Sequence, residues 1–208
     1  MSTRLVLPLL ALAGLVWTLH AVAAQPEQHA ARATTPGAFR FDPGVAPADR
    51  EAFLASVAAA RPAARRLIGK VDGLVDVHVG PTDVPGAIGL TQGEGERYRV
   101  TVDLGLVAQR YGERGIERTV LHELGHVIDG ALVSDALIAH LDAEIPAGLG
   151  CEDGRLGGCA SRQERFAETF AKWALGDIGI NLDVGYKVPP PSVPLDKWGE
   201  PLAQLAAS

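Results

Sequence analysis

His122 and His126 stand four residues apart, with Glu123 directly after the first, in the stretch TVLHELGHVID. On a helix that spacing turns both imidazoles to one face, where a single tetrahedral Zn2+ ion can take a nitrogen from each. Glu123, one position round the helix, then points beside the metal at its water, which it can deprotonate as a general base. Zinc would lower the pKa of that water toward neutrality and polarise a carbonyl, which is the chemistry of hydrolysis. Gly125, without a side chain, would let another element approach closely here. The same letters could instead occupy a polar helix face. In a chain of this composition HExxH arises by chance in roughly one sequence in a hundred, so the choice turns on a third protein ligand.

Downstream, SRQERFAETFAKWAL places Glu164 and Glu168 one turn apart on one face of a helix, with Phe166, Phe170 and Trp173 as its packing stripe. One carboxylate could complete the metal set while the other fixes the orientation of a metal-bound histidine. Ser161 followed by Glu164 is also a capping box, in which the glutamate reaches back to the cap's own N–H and has no metal role. HELGH upstream tips the choice toward metal. Asp129 could orient His122 or His126 or be solvated near the helix end, and the first is slightly favoured. His20, His29, His78 and His140 lack partners at ligand spacing and are assigned no role.

These side chains need elements to hold them. The apolar stripe Ile116, Val120, Leu124, Val127 and Val133 predicts a helix from Ile116 to about Leu132, a shorter one follows at Asp135 to Leu141, and the glutamate helix spans Arg162 to Leu175. Before them, GLVDVHV and YRVTVDL alternate apolar and polar residues as half-buried strands do. The glycine-rich segment between them is a loop or edge, with a short strand at Ala87 to Leu90. EAFLASVAAARPAARRLI reads as a helix capped by Asp49 and kinked or divided at Pro62. The fold class is α+β: a single domain with a small mixed sheet, an active-site helix and a glutamate-bearing helix.

The 208 residues include 47% hydrophobic and 21% charged, a globular composition with enough apolar residues for a core. A net charge of -6 without a basic run lacks the footprint of a nucleic-acid binder. Residues 1–24 carry Arg4, an apolar run and small residues up to Ala24, the pattern of a signal peptide; the length of the run leaves an uncleaved anchor as the alternative, and only that would bring a membrane. Residues 25–47 read as a flexible linker, 48–185 as the domain, and 186–208 as a proline-rich C-terminal extension, either packed or loose. Export would place Cys151 and Cys159, the only two cysteines, in an oxidising compartment where a disulfide persists.

HELGHVID followed downstream by ERFAETFA resembles the zincin metallopeptidases of the anthrax lethal factor and Pro-Pro endopeptidase type. The resemblance spans roughly residues 71–176, with detailed matching confined to the two helices. It implies one zinc ion held by His122, His126 and Glu164, Glu123 as general base, Glu168 as a supporting carboxylate, and Asp129 at the family's acidic position after the second histidine. It also implies a metalloendopeptidase acting on a protein or peptide, with the strand Tyr98 to Leu104 bordering the cleft and pairing with an extended substrate; with the signal pattern the expectation is an exported monomer. The family has a tyrosine oxyanion donor about seven residues before the glutamate ligand, where this chain has Gly157. Tyr186 or a backbone N–H are the candidates to replace it. A lapsed, zinc-binding exported domain and a zinc hydrolase of a non-protein substrate are the rival readings.

Overall fold

A computed structural model describes residues 39–146, 160–178 and 188–208. Proline divides the first helical run as the sequence predicts. α1 (Pro47–Ala59) ends before Arg61, and Pro62 occupies the first turn of α2 (Pro62–Val71), where its missing N–H costs nothing. α1 starts at Pro47, so Asp49 lies in its first turn rather than at its cap.

Four strands form one mixed sheet in the order β1-β2-β4-β3: β1 (Arg40–Phe41), β2 (Val75–Val79), β3 (Gly89–Glu94) and β4 (Arg97–Val102). β1 and β4 run parallel to β2, and β3 runs antiparallel to β4. Val75, Val77, Val100 and Val102 are fully buried on one face. Asp76 alternates to the other, where Arg97 donates to it from Nε (2.5 Å) and Nη2 (2.7 Å).

Five expectations are corrected here. The sheet begins inside the segment expected as linker, because Phe39 and Phe41 pack edge-on against the buried Phe53. The short strand lies at Gly89–Glu94 rather than Ala87 to Leu90. The strand YRVTVDL stops at Val102, because the Asp103 side chain accepts from the Leu106 N–H (2.9 Å) and caps a helix. That helix, α3 (Leu104–Leu132), therefore opens well before Ile116; it bends at Gly112, whose φ of 66° and ψ of −164° break the helical path. β4 pairs with β2 on one side and β3 on the other, so the sheet edges are β1 and β3, and the expected substrate strand Tyr98 to Leu104 is not one of them.

α4 (Asp135–Asp142) and α5 (Arg162–Leu175) occupy the predicted positions. α5 lies along α3 at Gly125, where an added Cβ would come 2.9 Å from Ala167 Cα. The C-terminal extension is packed rather than loose: α6 (Leu195–Trp198) and α7 (Glu200–Ala207) bury Trp198, Leu202 and Ala206. No helix among the described residues is long and apolar enough to cross a membrane. The expected signal peptide, the cysteine pair, Gly157 and Tyr186 lie outside the described residues.

Candidate metal centre

α3 and α5 bring together the residues the sequence singled out. Their helical spacing puts His122 and His126 on one face of α3, with ring centroids 4.9 Å apart. Glu164, in the first turn of α5, turns its carboxylate onto both rings: Oε2 is 3.1 Å from His122 Nε2, and Oε1 is 3.5 Å from His126 Nε2. One ligand atom from each of the three residues lies within 4.8 Å of the others, and all three residues are half-buried.

That cluster fits a metal ion by two measures. Donors bonded at about 2.0–2.2 Å to one tetrahedral ion stand about 3.3–3.6 Å apart, and the contacts of 3.1 and 3.5 Å that the two Glu164 oxygens make with the separate imidazoles lie near that range. The electrostatics favour a cation as well. Burial alone would lower the His122 pKa, but hydrogen bonds to Glu164 and Glu168 and the nearby carboxylates push it up to about 10. Burial would likewise raise Glu164, yet both histidines hold it well below the usual carboxylate range.

The choice posed by Ser161 is resolved in part. Its hydroxyl accepts from the Glu164 N–H (3.3 Å), which forms one half of a capping box. The other half would need the Glu164 carboxylate, and both its oxygens face the histidines.

Glu168, one turn further along α5, sits behind His122, with Oε2 3.5 Å from Nδ1. A carboxylate at Nδ1 favours the tautomer that leaves the Nε2 lone pair available to a metal. Glu168 is itself held by buried cations: Arg118 Nη2 donates to its Oε1, and Lys172 Nζ lies 3.3 Å from the same oxygen. Burial raises the Glu168 carboxyl, but the His122 hydrogen bond and the charges of Arg118, His122 and Lys172 outweigh it and hold it at about 2. Neither Arg118 nor Lys172 was identified from sequence, although each lies one helical turn from a site residue: Arg118 before His122, Lys172 after Glu168.

Glu123 does not join the ligand cluster. It is buried against β3, where the Thr91 hydroxyl lies 2.8 Å from its Oε2 and 3.1 Å from its backbone oxygen. Burial raises its carboxyl, an effect opposed by both histidines and by Thr91. Thr91 left no signal in the sequence, because the contact joins residues distant along the chain. Asp129, expected beside a histidine, instead accepts from Arg162 Nη1 (2.8 Å), since the first turn of α5 reaches it first. Comparison with protein-family models, curated proteins and solved structures found no match.

Proposed function

We propose that this chain is an exported zinc metalloendopeptidase with a zincin-type domain. The observation that carries the reading is the convergence of His122, His126 and Glu164, with the non-ligand carboxylate of Glu123 close enough to feel all three and held by Thr91. His122, His126 and Glu164 would hold one ion, and Glu168 would fix the His122 tautomer. Zinc supplies Lewis acidity when bound, making water a competent nucleophile near neutral pH and polarising a carbonyl. Glu123 is the general base. It takes the proton of the attacking water and returns it to the departing amine nitrogen, so that the peptide bond breaks to a carboxylate and an amine. An extended peptide would add to the free edge of β3.

Export rests on the pattern of residues 1–24, and a protein or peptide substrate on the resemblance. The net charge of -6 gives no support to a nucleic-acid partner. Gly157, standing where the resembled family has its tyrosine, favours a second reading: a zinc-binding exported domain that no longer turns over, or a hydrolase of some other substrate.

The test is elemental analysis and cleavage of a mixed peptide library by the wild type, Glu164→Ala and Glu123→Gln. One zinc per chain in the wild type and in Glu123→Gln, its loss in Glu164→Ala, and cleavage by the wild type alone are expected. Wild-type protein that is folded and zinc-free after zinc is supplied would sink the metal reading; zinc without cleavage would leave the second.

A further inference from the structure

The general base of the proposed reaction is held by the strand that offers its free edge to substrate. Asp103 N–H donates to Ile88 C=O (2.9 Å), which fixes these two as an exchanging pair at the start of the antiparallel β3/β4 ladder. Alternation then makes Leu90–Thr101 and Gln92–Arg99 exchanging pairs. The intervening Gly89, Thr91 and Gly93 turn their N–H and C=O groups away from β4. Val102 agrees with this, because its carbonyl accepts from Gly80 N–H rather than from its β3 partner Gly89. No strand among the described residues pairs with the outer edge of β3.

Side chains alternate along the same strand, and those of Thr91 and Gly89 fall on the face toward α3. There the Thr91 hydroxyl meets Glu123 Oε2 at 2.8 Å. At Gly89 an added Cβ would lie 2.2 Å from Glu123 Oε1 and 2.8 Å from its Cδ, so the carboxylate occupies space that only a glycine leaves open. One oxygen of Glu123 is thus engaged by a donor, and the other rests in a slot shaped by the missing side chain.

We propose that Thr91 is the positioning residue for Glu123 and that β3 ties peptide docking to the orientation of the base. This rests on the peptidase reading above. A substrate paired with the outward groups of Thr91 fixes the strand segment whose side chain aims the carboxylate, so a short ligand that misses this edge meets a less ordered base. Thr91 acts through Glu123 and need not touch the reacting atoms. Gly89 supports it by leaving the space that any larger residue would fill.

The experiment compares the wild type with Thr91→Val, which keeps the shape and removes the donor, and with Thr91→Ser, which restores it. Gly89→Ala attacks the same carboxylate from its other side. Crystal structures of the metal-free variants give a readout independent of turnover: the Glu123 carboxylate is expected to leave its place in Thr91→Val and Gly89→Ala and to keep it in Thr91→Ser. In steady-state cleavage of a library peptide, Thr91→Val should lower kcat by about tenfold to a hundredfold with zinc content and KM little changed, and Thr91→Ser should recover most of it. A Glu123 carboxylate unmoved in Thr91→Val, or unchanged kcat in that variant, overturns the positioning role. A wild type that holds zinc and cleaves nothing defeats the peptidase reading instead, while the crystallographic comparison still decides what Thr91 does.

Discussion

Glu168 lies between His122 and two buried cations, and its neighbours set what each change there would cost. Arg118, Glu168 and Lys172 are each about 5% exposed, so their charges are balanced by one another rather than by water. Arg118→Met should destabilise the chain by about 3 kcal/mol in urea denaturation, because Glu168 then keeps only Lys172 and His122 as partners. Zinc affinity should fall about tenfold as well, since a less firmly held Glu168 orients His122 less well. A loss under about 1 kcal/mol would mean that Lys172 alone suffices. Spacing of four put His122 with His126 on one helix face and Glu164 with Glu168 on another, which was readable in the sequence; that the two faces meet was only an expectation there. Thr91 was not readable, since only the folded sheet carries it to Glu123. Asp129 was misread: its spacing from His126 allowed a contact, but Arg162 competes for it across the helix pair.

The centre exists only while α3 and α5 stay in contact, and Gly125 governs how closely they approach. A methyl group there would meet Ala167 Cα at 2.9 Å and its carbonyl oxygen at 3.3 Å. Gly125→Ala should therefore push apart the helices that carry the histidines and Glu164, costing about 1–3 kcal/mol by thermal unfolding, and on the proposed metal reading added zinc should then stabilise the variant less than the wild type. The need for a close neighbour at Gly125 was readable from sequence, but the neighbour was not. The same division runs through the other elements. α5 keeps its predicted bounds because cap, stripe and stop agree locally. β3 and the opening of α3 escaped because glycines dilute the β3 pattern and YRVTVDL runs on past the cap at Asp103. In the sheet, Arg97 holds Asp76 below its ordinary carboxyl range through two hydrogen bonds, against the opposing effect of burial. A depressed folded-state pKa contributes stability that is complete above the unfolded value and is lost as pH falls through the folded one. The wild type should accordingly lose more stability than Asp76→Asn between about pH 5 and about pH 2, by urea midpoints measured at each pH.

Across the whole molecule, the C-terminal segment closes the structure around the back of α5. Trp198 is 2% exposed, donates from Nε1 to Leu141 C=O (3.2 Å) and lies 5.9 Å from the Phe166 ring. Lys172 donates to the Val188 carbonyl while its charge also serves Glu168, so one buried side chain touches both the segment and the carboxylate behind the candidate metal centre. Sequence left open whether this tail packs, because a proline run says that a chain is stiff without saying where it lies. Trp198→Ala should cost about 3–5 kcal/mol in urea, the range for emptying an aromatic core position, whereas Leu54→Ala, 43% exposed on α1, should stay within about 0.5 kcal/mol. The effect should also reach the centre. Phe166 lies on α5 between Glu164 and Glu168, so a cavity behind it loosens the helix that presents both carboxylates, and zinc affinity should drop together with stability. A detachable appendage would behave differently: Trp198→Ala would then match Leu54→Ala in both measurements, and the tail would have no part in holding the site.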